Sequence, residues 1–355
     1  MEWSIANTST WGSPNVSAPP ATAGSKERGR IEVNQLSKSF KTFRAVDDLS
    51  FSVDPGRITG FLGPNGAGKT TTLRMILGLI RPTSGSSTIG GVPYVDLANP
   101  LGTVGAALEA TNFHPGRTGR DHLRVLCTSA GLPDSRADQL LELVGIPAAA
   151  KKRAGGYSMG MRQRLGLAGA LLGDPDILIL DEPANGLDPE GIRWLRGFLR
   201  HLAGEGKTIL VSSHLLSEVE QTVDDVIILA NGRLIRQGTI EELRGEPKVR
   251  VRTPDAGQLA QALQGAGIKA EPGDESGVVV AVSDDPARVG DLAYEARVRV
   301  HELTRQKADL EHLFFQLTSQ GDARNRNLGA QSDQHHQPGG GGAPQAQQAP
   351  IEGGR

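Results

Sequence analysis

The sequence predicts an α/β protein, with strands and helices alternating over residues 30–240 and a small α+β unit over residues 246–318. Short apolar runs with strand character are separated by stretches of helical spacing. One such run, RITGFLG, passes directly into the glycine-rich loop GPNGAGKTT and on into TTLRMILGLI, which has the period of a helix. After residue 246 the texture changes, and short strand candidates surround two amphipathic stretches.

The elements follow in chain order. IEVNQLSKSF and VDDLSFSV read as strands, then RITGFLG, the loop and its helix, and RPTSG as a turn. VGAALEA reads as a strand, and one long helical region covers about residues 118–145. A second glycine stretch, GGYSMGMRQRL, opens into another helix. DILILDEP is a buried strand with a polar exit, and GIRWLRGFLRHL is helical. TILVSSH and DVIILANGRLIRQG supply two further strands. In the smaller unit KVRVRT, GIKAE, VVVAVS and ARVRVHEL alternate with DAGQLAQALQGA and DPARVGDLAYEA, which suggests a βαββαβ arrangement. QKADLEHLFFQLTS should close it as a helix.

Composition narrows the function classes. The chain has 355 residues, and a net charge of −2 gives no global attraction to nucleic acid or anionic lipid. The single cysteine, Cys127, excludes an internal disulfide and reads as a packed thiol. No run of 18 uncharged apolar residues exists, so nothing in the sequence reads as a bilayer span. Residues 1–29 and 319–355 are low in apolar content and are expected to be disordered tails. His335 and His336 in the second tail read as solvated residues.

The loop at Gly63, Pro64, Asn65, Gly66, Ala67, Gly68, Lys69 and Thr70 satisfies the P-loop pattern. Its glycines let backbone amides curl around phosphates, and Lys69 neutralises outer phosphate charge. Thr70 offers a hydroxyl to Mg²⁺, and Thr71 follows in the first helical turn. A nucleoside triphosphate is the implied ligand. Asp181 and Glu182 lie at the exit of ILIL, the edge where ligands collect in open α/β sheets. Asp181 suits Mg²⁺, and Glu182 suits polarising an attacking water. His214 ends another apolar strand, placed to contact a terminal phosphate and hold water and Glu182 in line. The stretch around Ser158 and Gly160 is a second anion-binding construction, with free amides and a helix dipole from Arg162 pointing one way.

Taken in order, these motifs resemble the ABC transporter ATPases over about residues 31–240. GPNGAGKTT is similar to Walker A, YSMGM to the signature loop, ILILDEP to Walker B, NGLD to the D-loop and VSSH to the switch histidine. The resemblance implies a P-loop NTPase fold of ABC type: a RecA-like core, an antiparallel β subdomain and a helical subdomain, here with a small C-terminal α+β domain. It implies ATP and Mg²⁺ as ligands, and Phe40 as an aromatic stacking on the adenine, although Phe40 also suits a core position. Two subunits, most simply two copies of this chain, would pack head to tail, each Ser158 and Gly160 capping ATP held by the other. Asp188 would communicate across that seam and also reads as a helix N-cap before PEG.

The sequence departs from the family pattern in two places. Tyr157, Met159 and Met161 stand at the first, third and fifth positions of the usual LSGGQ signature. Glu109, in VGAALEA, stands where the family has a glutamine that contacts Mg²⁺ and water. A carboxylate can ligate Mg²⁺, so Glu109 is expected to substitute. The resemblance further implies a separate transmembrane permease, no direct nucleic-acid partner, and a cytoplasmic position against the inner face of the membrane; the alternative is a soluble or regulatory ABC ATPase without a transport role. LEATNFHPGRTGRDHL and the stretch from Tyr157 to Gly191 look most like ATPases of two-gene exporters of antibiotics, peptides, polyketides or lipids.

Overall fold

The computed structural model describes residues 29–108, 113–244 and 246–306. Both expected tails (save Gly29), Glu109, the histidine pair and the expected closing helix beyond its first residue, Gln306, lie outside the described residues. The chain begins with β1 (Ile31–Phe40), β2 (Phe43–Val53), β3 (Ile58–Leu62), α1 (Lys69–Ile76) and β4 (Ser84–Ile89). Next come α2 (Pro100–Thr103), β5 (Val104–Ala107), α3 (Gly119–Ser129), α4 (Ser135–Leu143) and α5 (Met159–Ala170). Then follow β6 (Ile177–Leu180), α6 (Pro189–Gly204), β7 (Thr208–Ser213), α7 (Leu216–Val219), β8 (Asp225–Ala230), β9 (Arg233–Thr239) and α8 (Ile240–Arg244). The C-terminal unit is β10 (Lys248–Arg252), α9 (Ala256–Gly265), β11 (Ala270–Pro272), β12 (Val278–Val282), α10 (Pro286–Glu295) and β13 (Glu302–Gln306).

The central sheet has the order β5-β6-β7-β3-β8-β9 and is parallel except for the last pair. Its inner strands are apolar on both faces because both faces are covered. Leu178, Leu180, Ile209 and Val211 point into a core shared with α3 to α6, whose three helices α3, α4 and α5 pack as one cluster. Ile177, Ile179, Leu210 and Phe61 point the other way, toward an antiparallel sheet of order β2-β1-β4. Fully burying each such aliphatic side chain stabilises the fold by roughly 1.5–3 kcal/mol. These layers set the exits of β3, β6 and β7 side by side.

Four expectations are corrected here. The helical region 118–145 is two helices, because Gly131, at φ 68°, and Pro133 break it. DVIILANGRLIRQG is a hairpin of two strands, turned at Asn231 and Gly232, both with positive φ. The RPTSG turn gives way at Ser84 to β4, a strand whose SGSSTI sequence offers one apolar residue and pairs at the sheet edge. The C-terminal unit does have the βαββαβ order. Its antiparallel sheet, β11-β12-β10-β13, packs Val249, Val251 and Ala281 against Leu259, Leu263, Val289 and Ala293 of its helices. The strand expected at ARVRVHEL begins only at Glu302.

Cys127 is fully buried in α3, and burial pushes its thiol pKa up. The native protein should therefore resist a thiol-directed disulfide reagent and label fully in guanidinium; prompt native labelling would mean that the α3–α5 cluster opens readily.

Candidate functional site

The glycine loop connects β3 to α1 along the path of the P-loop pattern. Gly68 caps α1 with φ 96°, a conformation in which a side chain would be strained. A Cβ on Gly63 would lie 2.6 Å from the carbonyl oxygen of Leu229, so the backbone there passes too close to β8 for any larger residue. The loop is tied down by its own turn and by a neighbour. Ala67 N donates to Pro64 O at 3.1 Å, and Ala67 O accepts from Gly232 N at 3.1 Å. The amides of Gly66 and Gly68 have no acceptor among the described residues, and Asn65 and Gly66 are exposed. Free amides above a helix N-terminus are what a polyphosphate requires.

Lys69 begins the helix and is buried, which holds its ammonium over the loop. Its Nζ donates to Gly63 O at 2.8 Å and Pro64 O at 3.3 Å, and lies 3.4 Å from Glu182 Oε1. Thr70 Oγ1 donates to Asp181 Oδ2 at 2.7 Å. A hydroxyl and a carboxylate that meet at the exits of adjoining elements match the hard oxygen set that Mg²⁺ takes, so this pair fits the ion. Thr71 is half-buried one position further along the helix.

Asp181 and Glu182 follow β6 directly. Asp181 N donates to Ala107 O at 2.9 Å, and Ser212 of β7 donates its hydroxyl to Asp181 Oδ1. The same Ser212 Oγ accepts from Glu182 N at 2.9 Å. Ser212 therefore fixes the Asp181 carboxylate and the main chain of Glu182, a role that sequence reading missed because VSSH draws attention to its histidine. Glu182 sits at φ 47°, a conformation costly for a non-glycine residue, and the main-chain bond to Ser212 helps hold it. His214 Nδ1 lies 3.2 Å from Glu182 Oε2. Lys69, Thr70, Asp181, Glu182 and His214 thus converge on one site, with Glu182 between the lysine and the histidine.

The signature segment is built separately. Tyr157 is buried and donates its hydroxyl to Ala149 O at 2.7 Å, so burial of the ring and that bond together anchor the segment. Ser158 is the exposed N-cap of α5 and accepts from Met161 N at 3.3 Å. Gly160 is half-buried, and Met159 is 40% exposed with its side chain lying over Gly186. Arg164 stacks on Trp194 at 3.8 Å, joining α5 to α6. Asp188 caps α6, accepting from Gly191 N at 2.7 Å. Among the described residues no hydrogen bond or ion pair joins residues 155–164 to residues 63–71. Phe40 ends β1 at 45% exposure, with the Lys38 ammonium 5.0 Å from its ring centroid, and is a surface aromatic rather than a core one.

Comparison with known proteins decides the family. Residues 46–185 match the family described as ABC transporter. The bacitracin transport ATP-binding protein BcrA of Bacillus licheniformis is 44% identical over 217 residues, covering 60% of this chain and 71% of that protein. The chain belongs to the ABC transporter ATP-binding proteins. The Nod factor export ATP-binding protein I of Burkholderia pseudomallei (strain K96243) is 36% identical over 297 residues, 81% of this chain and 96% of the relative. A solved ATP-binding subunit of an ABC transporter superposes with TM-score 0.54 at 30% identity, covering 60% of this chain and 91% of that structure. Residues 247–311 match a domain of unknown function, DUF8746. This ABC protein is an ATP-binding subunit of a transporter and an ATPase whose hydrolysis is coupled to transport. No helix among the described residues is long and apolar enough to cross a membrane.

Proposed function

We propose that two copies of this ABC ATPase close on two ATP molecules and drive a separate membrane permease that exports an antibiotic, peptide or lipid. The subunit would sit at the cytoplasmic face of the membrane through that permease. The observation that carries the dimer is the division of the site. The hydrolytic groups converge around Lys69, whereas Ser158 is exposed on a helix cap with no bond to that loop. Export is supported by the relatives, one in bacitracin transport and one in Nod factor export.

In this reading the amides of residues 65–71 and the Lys69 ammonium bind the phosphates of ATP, and Phe40 stacks on the base. Thr70, Asp181 and Glu109 would hold Mg²⁺, which when bound supplies charge neutralisation at the phosphate oxygens. Glu182 takes a proton from the attacking water, and His214 keeps that carboxylate and the water aligned. Ser158 and Gly160 of the second copy bind the terminal phosphate, and Asp188 lies at the seam. Cleavage removes the shared phosphate contact, and the copies separate.

Lys69→Ala and Ser158→Arg test this in combination. Each variant alone should be inactive, and a one-to-one mixture should regain ATPase activity, because one mixed site keeps both an intact lysine and an intact serine. A mixture as inactive as its components would contradict the shared site.

A further inference from the structure

The hairpin of β1 and β2 turns on Lys41 and Thr42 and sets Phe40 directly opposite Phe43. Residues opposite one another in an antiparallel ladder point to the same face. The register carries that face back along the strands. Lys38 lies opposite Val46, and Lys38 and Phe40 are two residues apart on β1, so all four side chains share it. The shift between Lys38 and Ser39 gives β2 one extra residue, Ala45, which keeps Val46 in phase with Phe43. Val46 is fully buried, and its Cγ2 lies 3.2 Å from where a Cβ on Gly68, the N-cap of α1, would sit. The face that ends in the two phenylalanines is therefore the face turned to the phosphate loop.

Both rings are left open there. Phe43 is 59% exposed, more than Phe40, while the other described phenylalanines are buried or half-buried. Neither ring stacks on another aromatic among the described residues. The cations beside them are already engaged. Arg44 donates to Asp47 at 2.6 Å, and Lys38, over the Phe40 ring, donates to Arg81 O at 2.7 Å. An aromatic ring left in water forgoes the large burial that its area offers. In sequence Phe43 had no role three residues past Phe40, and only the two-residue turn brings them together.

We infer that Phe43 is a second base-binding residue, which with Phe40 forms an aromatic floor for the purine of ATP. The inference rests on the proposed function in taking Phe40 to meet the base. From Val46 to Phe43 the strand runs roughly 10 Å. A ribose and base cover that span once the phosphates sit on the amides beside Gly68. The Cβ atoms of opposite residues lie about 5 Å apart, so the two rings offer the fused rings of a purine more area than one ring does. Stacking uses that area and not a hydrogen-bond pattern, so the floor holds a purine without choosing among purines. A protein anchor is the weaker match, because this face runs on to a loop whose free amides already select a nucleotide.

Calorimetric titration of the full chain with a non-hydrolysable ATP analogue and, separately, with inorganic triphosphate tests this. Phe43→Ala should weaken the ATP analogue about fivefold or more and leave inorganic triphosphate within about twofold of the wild type, since that ligand has phosphates and no base. Phe43→Tyr keeps an aromatic face and should bind both ligands as the wild type does. An ATP-analogue affinity unchanged by Phe43→Ala would overturn the inference. So would equal weakening of both ligands, which would make the ring a support of the loop only, or a loss with Phe43→Tyr as large as with alanine. Phe40→Ala separates the two readings. If it weakens the ATP analogue while Phe43→Ala does not, Phe40 still meets the base and only the inference fails. If neither does, the base lies elsewhere and the reading of Phe40 fails with it.

Discussion

Glu182→Gln should lower the ATP hydrolysis rate by about 10²–10⁴-fold while leaving ATP affinity nearly unchanged. The substitution preserves shape and removes the basic oxygen. Glu182 is held in its strained backbone pose through its amide, which donates to Ser212 Oγ at 2.9 Å, and glutamine keeps that bond. The side chain lies between Lys69 at 3.4 Å and His214 at 3.2 Å, so no other carboxylate among the described residues has this placement. Single-turnover assays with Mg-ATP in excess of protein affinity would check it. A rate within about tenfold of wild type would mean that the water is activated elsewhere, because general-base catalysis accounts for more than that.

Lys69→Ala should have the second largest effect, on binding. The ammonium is 5% exposed and faces the loop, donating to Gly63 O and Pro64 O. Its removal leaves Glu182 without its cation and an outer phosphate without its charged donor. Hydrogen bonds to charged groups contribute about 1.5–3 kcal/mol, so ATP affinity should fall roughly 10- to 150-fold. Titration with a fluorescent ATP analogue measures this directly, and a change below about threefold would place the lysine away from the phosphates.

The parts of this site that sequence made legible are contiguous. A P-loop compresses its glycines, lysine and threonine into eight residues, and strand, loop and helix follow in order. Asp181, Glu182 and His214 were legible because each directly follows a buried strand, β6 or β7, and parallel strands deliver their exits to one edge. Contacts made across the sheet were not. Ser212 reaches Asp181 only because β7 lies beside β6, and Gly232 reaches Ala67 only because the β8–β9 turn folds back. Asn231-Gly232 is a hairpin signal that a continuous strand reading passes over. The polar β4 could not announce itself, since edge pairing asks little of its side chains. Likewise the loop of residues 115–120 meets the loop of residues 150–155 through backbone pairing, which leaves no trace in charge or period.

The central claim is that each ATP is enclosed by groups from two chains. Light scattering on the Glu182→Gln protein, saturated with Mg-ATP, tests it most directly. The account predicts particles of twice the chain mass that return to single chains when Ser158→Arg is added or ATP is withdrawn. A mass that stays at one chain throughout, with ATP bound and with the permease present, would contradict it.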